Sequence, residues 1–262
     1  MSDYNAPLAD IRFALSKIAG LENVLALEGF EDLSPDLIDA VLDEADKFAG
    51  GVLAPLLRVG DEQGARLENG VVRMPDGFPE AYQAYVDGGW NGPVFDPERG
   101  GQGLPWLVGT VLNEIWGSAN LGFSLGPLLT QGAVELLEVH GTEAQKDKYL
   151  ENMITGRWTG TMNLTEPQAG SDVGALRSKA VKEGDHYRIS GQKIFISYGD
   201  HEMVDNIVHL VLARTEGAPD GIKGISLFIV PKFLVNDDGS LGQRNDLRPG
   251  SLEHKLGIHA SP

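Results

Sequence analysis

A run of residues, Met162–Asp172, joins strand-forming residues to a turn that is rich in hydrogen-bonding groups. Pro167 lacks a backbone N–H and ends the predicted strand, and Gly170 is expected to permit a tight reversal after it. Thr165, Ser171 and the backbone N–H groups that follow Pro167 would then form a compact set of hydrogen-bond donors. Such a set suits the polar edge of a heterocycle or a phosphate better than a metal ion. The alternative is a strand-to-loop corner that binds no ligand.

A second run, Lys193–Ser197, carries an aromatic ring and a hydroxyl two residues apart. Its composition predicts a strand, in which alternate side chains point to the same face. Lys193, Phe195 and Ser197 would then share one face, with the ring and the hydroxyl roughly 6–7 Å apart along the strand. An isoalloxazine ring needs a stacking partner and donors near N5 and its pyrimidine carbonyls. The two runs therefore allow flavin binding, and an ordinary strand is the alternative.

Other kinds of catalytic site have little support in the sequence. The six histidines are scattered, and none forms the i, i+4 pair with an intervening glutamate that a zinc protease needs. The chain has no cysteine, which excludes thiolate catalysis, disulfides and Cys-based metal sites. We therefore predict no metal site and assign no catalytic residue within this sequence.

The two runs resemble the motifs of a known enzyme family. Leu164–Asp172 is similar to the TEPxAGSD signature of the acyl-CoA dehydrogenases, and Gly191–Ser197 is similar to that family's GxKxWIT strand. The motifs have the family's order and separation, which makes the pair far more specific than either motif alone. Leu210–Thr215 and Lys255–Pro262 also resemble family segments in order. The likeness covers most of the chain from about Ser34 onward, and the residues before it resemble the larger bacterial members.

The resemblance implies an FAD site and assigns residues to it. Met162, Leu164 and Thr165 would lie along the pyrimidine edge of the flavin. Phe195 would lie beside the flavin ring, and Ser197 would lie near N5. Ser171 would be shared between FAD and substrate, and Thr215 would contact the CoA moiety. The chain departs from the family pattern in three places. Gln168 stands where the family usually has Gly, Ser197 where it usually has Thr, and Tyr198–Asp200 where it has Asn-Gly-Gly.

The implied reaction is FAD-dependent α,β-dehydrogenation of an acyl-CoA thioester. A carboxylate removes the α-proton while a hydride leaves the β-carbon for flavin N5, and hydrogen bonds to the thioester carbonyl make that proton acidic. An electron-transfer flavoprotein would accept the electrons. Relatives carry the catalytic glutamate on a C-terminal helical bundle beyond the equivalent of Pro262, which also builds a homodimer or homotetramer. The chain alone is therefore expected to be inactive.

Two alternatives to this function stay open at this point. The same fold could serve an acyl-CoA oxidase, in which oxygen accepts the electrons. The chain could instead be a non-catalytic binding module. Among the larger bacterial members, some act on 3-methylthiopropanoyl-CoA and others on fatty acyl thioesters, and the sequence does not identify the residues that would choose between them.

Length and composition bound these possibilities. A chain of 262 residues with 42% hydrophobic and 23% charged residues is typical of a globular protein with one large or two small domains. The net charge of −17 argues against nucleic acid as a partner and means that a CoA site would need its own lysines or arginines. No apolar run is long enough to span a bilayer and no secretory pattern opens the chain, so we expect a cytoplasmic protein.

Helical patterns fill the first part of the chain. Residues 1–33 are predicted as an extension with one helix, and residues 34–156 as an all-α domain. Ser34 followed by Pro35 begins an amphipathic helix, and Thr142 with Gln145 forms a capping box that opens another. Separate helices are expected over 105–116, which is apolar nearly all round, and over 131–139.

Strand patterns follow from residue 157 to residue 262. Short β-prone segments are separated by turn signals, and this spacing predicts an antiparallel barrel or sandwich domain. The expected strands are 157–165, 175–182, 186–189, 193–197, 207–213 and 222–230. Helices first and strands second make the fold class α+β, with the domain boundary near residue 157.

Overall fold

The computed structural model describes residues 4–262, with mainly helices up to residue 154 and mainly strands after it. The helices are α1 (Leu8–Phe13), α2 (Leu21–Leu25), α3 (Pro35–Phe48), α4 (Ala54–Gln63), α5 (Phe78–Asp87), α6 (Trp106–His140) and α7 (Glu143–Ile154). The strands are β1 (Arg66–Glu68), β2 (Val71–Arg73), β3 (Trp158–Asn163), β4 (Lys179–Glu183), β5 (His186–Ser190), β6 (Asn206–Thr215), β7 (Ile225–Pro231), β8 (Phe233–Val235) and β9 (Leu241–Arg244). This order confirms the predicted α+β class.

The predicted helix starts are formed by side-chain caps. The Ser34 side chain accepts a hydrogen bond from the Leu37 N–H at 3.2 Å, so α3 begins where the Ser-Pro pair predicts. At α7 the Thr142 hydroxyl accepts from the Gln145 N–H while the Gln145 side chain accepts from the Thr142 N–H, which is the predicted capping box. Both starts could be predicted because every group that makes them lies within one helical turn.

The two helices expected over 105–116 and 131–139 are parts of one longer helix, α6. Its backbone leaves the helical conformation at Asn120, where φ is −159° and ψ is 89°. The buried Asn120 side chain donates to the Leu53 carbonyl at 3.0 Å and accepts from the Phe123 N–H at 3.1 Å. Asn120 therefore caps the second half of α6 while a contact with another helix holds it in place. No helix within residues 4–262 is both long and apolar enough to cross a membrane.

The main sheet has five strands and is mixed, which corrects the antiparallel arrangement expected from the sequence. Strand β6 pairs in parallel with β3 and with the start of β4, and it pairs antiparallel with β7, while β4 and β5 form an antiparallel hairpin. More than forty residues separate β3 from β6, enough chain to bring β6 back in the same direction. Two small antiparallel hairpins, β1–β2 and β8–β9, complete the strands described.

Several strand boundaries differ from those predicted. The first strand ends at Asn163, so Leu164 and Thr165 lie beyond it. Residues 173–175 and 222–224 form 3-10 turns before β4 and β7 rather than the beginnings of those strands. Residues 193–197 form no strand at all. The β-prone side chains of that segment are fixed by tertiary contacts described below, which outweigh local propensity.

The sheet packs against the last two long helices. Apolar residues from α6, α7, β3 and β6 form a shared core that includes Val134, Leu150, Trp158 and Leu210. Gly160 allows β3 to approach α6 closely, because a Cβ at this position would lie 2.6 Å from the Ala133 Cβ. A second core fills the space between the helices of the first half. The end of β3 is thereby held against α6.

Candidate functional site

The two motif segments are hydrogen-bonded to each other. The Ile194 N–H donates to the Thr165 carbonyl at 3.0 Å, and the Lys193 ammonium donates to the Leu164 carbonyl at 3.0 Å. One contact is between backbones and the other reaches across with a side chain, so they fix both the distance and the direction of the second segment relative to the first. The two motif segments therefore lie side by side in the fold.

Glu166 holds this junction together. Its carboxylate accepts from the Arg177 N–H at 2.6 Å, from the Ser178 N–H at 3.0 Å and from the Lys193 ammonium at 2.9 Å. The side chains of the ion pair are 3% exposed at Glu166 and 9% at Lys193. Burial alone would raise the pKa of Glu166, but hydrogen bonds from Ser178, Arg177 and Lys193 lower this pKa to about 2. The carboxylate is thus charged and saturated with donors.

The same carboxylate closes the loop that carries Ser171. The chain leaves its pairing with β6 at Asn163 and returns to it at Lys179, so residues 164–178 form an excursion from the sheet. The reversal occurs within 166–169, where the N–H of Glu166 and the carbonyl of Ala169 pair at 3.1 Å and the reverse pair lies at 2.9 Å. The prediction of a reversal at Gly170 was wrong. The set of free donors is also smaller than predicted, because the Ala169 N–H is used in this turn.

The segment around Phe195 has a backbone that the predicted strand did not anticipate. Phe195 has a φ of +58° and Tyr198 a φ of +53°, the left-handed region that residues other than glycine rarely adopt. Phe195 is 62% exposed, whereas Lys193 is buried against Glu166. The predicted alternation, with Lys193, Phe195 and Ser197 on one face, is therefore wrong for Lys193. An exposed aromatic ring on a backbone of this kind is a feature that often accompanies a binding function.

Three of the other predicted residues lie at the same end of two parallel strands. Leu164 and Thr165 follow β3, and Thr215 is the last residue of β6, which continues past the point where β3 stops. The Arg214 guanidinium donates to the Gly174 carbonyl at 3.0 Å and so ties the end of β6 to the loop. Ser171 is exposed on that loop, and Met162 is half-buried within β3.

An open cleft of about 2770 Å³ lies beside this junction. Phe195, Ser197 and Lys193 line it, whereas Met162, Leu164, Thr165, Ser171 and Thr215 do not. The lining contains seven of the chain's 21 Lys and Arg residues but only seven of its 38 Asp and Glu residues. The acidic excess of the whole chain is therefore missing from the cleft, so an anionic ligand is not repelled there as it would be elsewhere.

A buried polar network lies beside the cleft, and two of its members, Asn163 and His209, line the cleft. The Thr161 hydroxyl lies 2.7 Å from the His209 Nδ1 and donates to the Asn163 Oδ1 at 2.7 Å, and the Thr159 hydroxyl lies 3.2 Å from the His201 Nε2. Burial and, as a smaller cause, the charge of Lys232 together lower the pKa of both histidines to about 3. In the part of the chain that the structure describes, no three His, Asp or Glu side chains are grouped as a metal site would need.

Comparison with known proteins identifies the family. The profile of the acyl-CoA dehydrogenase N-terminal domain matches residues 37–157, and that of the acyl-CoA dehydrogenase middle domain matches residues 161–262. The chain belongs to the acyl-CoA dehydrogenase family. It is 51% identical over 260 residues to the 3-methylmercaptopropionyl-CoA dehydrogenase of Ruegeria pomeroyi. That alignment covers 99% of the chain but 44% of the relative, so the chain spans less than half of the relative's length.

Solved structures of known proteins share the fold. The butyryl-CoA dehydrogenase of Megasphaera elsdenii matches with a TM-score of 0.65 and 26% identity over 87% of the chain and 54% of that structure. The FAD complex of PigA matches with a TM-score of 0.59 and 27% identity over 76% of the chain and 48% of that structure. The overall fold of the chain is therefore a known one.

Sequence reasoning missed the part that Glu166 and Lys193 play in this member of the acyl-CoA dehydrogenase family. The sequence shows that each residue lies within one of the two motifs and that their charges are opposite. That signal could have predicted an ion pair between the motifs. Tyr198 was noted only as a departure from the family pattern, and its buried contacts with α6 had no signal in the local sequence.

Proposed function

We propose that the chain forms the helical part and the FAD-binding sheet of a longer acyl-CoA dehydrogenase. One observation carries this proposal: the two motif segments are joined through Thr165, Glu166, Lys193 and Ile194 while the ring of Phe195 remains exposed beside a cleft. An edge of backbone groups next to an available aromatic face is what the isoalloxazine ring requires. The cleft also lacks the acidic excess that would repel the cofactor's phosphates.

The individual roles follow the assignments made from the motifs. The backbone of Met162, Leu164 and Thr165 would border the pyrimidine edge, Phe195 would cover the ring, and the Ser197 hydroxyl would donate near N5. Ser171 would serve both the cofactor and the thioester, and Thr215 would contact the CoA moiety. Their positions at the ends of β3 and β6 and on the adjoining segments support this arrangement. FAD, when bound, would supply the hydride acceptor.

Glu166 does not suit the role of the base that removes the α-proton. Its pKa of about 2 makes it a weak base near neutral pH. Its oxygens already accept hydrogen bonds from Lys193, Gln168 and two backbone N–H groups. Releasing these bonds would leave the Lys193 charge buried without a partner. We therefore propose that the base comes from another part of the longer protein and that residues 1–262 alone have no dehydrogenase activity.

The partners remain part of the proposal. An acyl-CoA thioester would be the substrate, an electron-transfer flavoprotein the electron acceptor, and a homodimer or homotetramer the assembled form. A cytoplasmic location also stays a prediction. The oxidase alternative differs only in the acceptor: after photochemical reduction of bound flavin, fast reoxidation by air would favour it.

FAD binding by the purified chain tests the central claim. We expect FAD to bind saturably, with a changed flavin absorption band, and expect Phe195→Ala to weaken binding about fivefold, since an aromatic stacking contact contributes about 1 kcal/mol. Phe13→Ala is the matched control, because Phe13 is a phenylalanine of similar exposure, 59%, on α1. Absence of saturable binding, or equal losses in the two variants, would contradict the proposed site.

A further inference from the structure

Tyr198 connects the second motif segment to the middle of α6. Its side chain is 1% exposed, although it comes directly after Ser197 at the edge of the cleft. Its hydroxyl proton is shared between the Gly122 carbonyl, at 2.7 Å, and the Phe123 carbonyl, at 3.2 Å. A residue of the sheet half thus reaches into the helical half at the point where α6 bends.

The bend in α6 creates a place that fits a tyrosine. Pro127 has no N–H, so the Phe123 carbonyl four residues earlier has no helical donor, and the Tyr198 hydroxyl supplies one. Gly126 leaves room for the ring, since a Cβ there would lie 2.8 Å from a ring carbon of Tyr198. The Gly126-Pro127 pair therefore provides both the space and the acceptor, and Asn120 fixes the bend that exposes them.

The segment that carries Phe195 is consequently held at both ends. Lys193 and Ile194 bind the first motif at one end, through Glu166 and Thr165. Tyr198 binds α6 at the other end. Phe195 lies between these anchors with its ring exposed, on a backbone in the left-handed region. A strained residue keeps such a conformation only where its surroundings impose it.

We propose that Tyr198 is a positioning residue that latches the segment 193–198 to the bend of α6 and so fixes Phe195 and Ser197 for the cofactor. The effect on the cofactor rests on the proposed function, whereas the latch itself does not. Gly126-Pro127 is the feature of this chain that accommodates the tyrosine ring. The helical half and the cofactor-binding segment thereby move as one body.

Amide hydrogen exchange tests the latch without any cofactor. Tyr198→Phe removes one buried hydroxyl, and we expect the Ile194 amide, which bonds to Thr165, to exchange up to about tenfold faster. Tyr82→Phe is the matched control, because Tyr82 is equally buried and its hydroxyl donates to the Gly156 carbonyl at 2.8 Å. Rates are compared after correction for the global stability of each variant, measured with urea.

A second variant approaches the same contact from the helix. Gly126→Ala should favour helix formation and yet displace the Tyr198 ring, so we expect it to speed exchange at Ile194 as Tyr198→Phe does. Destabilisation of α6 could not explain such a result. This variant also decides the question if Tyr198→Phe fails to fold. Unchanged exchange at Ile194 in both variants, or the same acceleration in Tyr82→Phe, would overturn the proposal.

FAD titration separates this proposal from the proposed function. If the unmodified chain binds FAD, we expect Tyr198→Phe to weaken binding severalfold and Tyr82→Phe to leave it unchanged. If the unmodified chain binds no FAD, the proposed function fails, while the exchange rate of Ile194 still decides whether the latch exists. If binding and exchange are both unaffected by Tyr198→Phe, the latch fails and the proposed function stands.

Discussion

Two buried lysine–carboxylate pairs lie at the two ends of the segment 193–200, and they differ in how their charges are compensated. Glu166 receives the Lys193 ammonium together with two backbone N–H groups and an amide. Asp200 receives Lys232 and, at 3.7 Å, the half-exposed Arg244. Backbone donors cannot move without unfolding the loop. The first pair is therefore a fixed structural junction.

The second pair instead acts on its neighbours. Lys232 also donates to the His201 carbonyl at 3.2 Å, and its charge contributes to the low pKa of His201 and His209. One pair thus stabilises a backbone arrangement at the proposed cofactor edge, and the other keeps a histidine network neutral beside the cleft. The two lysine–carboxylate pairs have different effects because the Glu166 carboxylate is surrounded by N–H groups and the Asp200 carboxylate is not.

The largest expected effect that separates the two regions is a pH dependence. His201 and His209 have pKa values of about 3 in the fold and ordinary values near 6.5 when unfolded. Below pH 6.5 the unfolded chain therefore binds more protons, and stability falls as the pH falls toward 3. Each histidine contributes up to about 1.4 kcal/mol per pH unit, so we expect a loss of about 4 kcal/mol between pH 6.5 and 4.5.

Urea unfolding at stepwise pH measures this loss, and variants assign it to one region. His209→Asn should flatten the slope between pH 6.5 and 4.5, with exposed His186→Asn as the control. Glu166 acts in a lower window, because its pKa is depressed from 4.5 to about 2: its stabilisation is complete above pH 4.5 and is lost as the pH falls toward 2. His259, whose pKa is raised beside Asp61, works in the opposite direction. If neither His209→Asn nor His186→Asn changed the slope of stability against pH, the assignment of this pH dependence to the buried histidines would be contradicted.

Removal of the Glu166 charge is the next largest effect. Glu166→Gln leaves the Lys193 ammonium, 9% exposed, without a charged partner, and we expect the free energy of unfolding at pH 7 to fall by about 3 kcal/mol. Glu143→Gln removes the carboxylate of an exposed pair with Lys146 and should cost less than about 1 kcal/mol. Equal losses measured in urea would mean that the junction is no more than a surface ion pair.

Removal of Lys232 should cost less and should show on the histidines. Lys232→Met leaves Asp200 near Arg244, so we expect a loss of about 2 kcal/mol. Because Lys232 lowers the pKa of His201 and His209, both values should rise, while burial keeps them below the ordinary value. Histidine titration followed by NMR measures this. Lys148→Met, whose lysine lies 3.9 Å from an exposed Asp237, is the control, and equal pKa changes in the two variants would remove the distinction between the regions.

The same contrast explains how far the sequence could predict the structure. The capping box at Thr142 was predictable because its partner is three residues away. The partners of Glu166 are 11 and 27 residues away, at Arg177 and Lys193, so the pattern within one segment does not identify them, and only a comparison of the two motifs could have predicted the ion pair. The strand predicted over 193–197 failed for the same reason, since long-range anchors impose a left-handed conformation that β-propensity does not describe.

The smallest effect concerns Phe195, which lies between the two pairs. A phenylalanine in the left-handed region is strained by about 1 kcal/mol, and asparagine tolerates that region better. Because the ring is 62% exposed, its loss removes little buried surface. We therefore expect Phe195→Asn to raise the free energy of unfolding by up to about 1 kcal/mol in the absence of FAD and at the same time to weaken FAD binding.

Opposite changes in stability and affinity would mean that the ring is kept for a ligand and not for the fold. Phe13→Asn is the control, because Phe13 is equally exposed but helical, and asparagine should destabilise α1 slightly there. Urea unfolding and FAD titration of both variants supply the two readouts. A loss of stability in Phe195→Asn greater than that in Phe13→Asn would show that the ring serves packing. Phe195 would then be a structural residue held between Lys193 and Tyr198, and the main reason for proposing a cofactor site beside its ring would be lost.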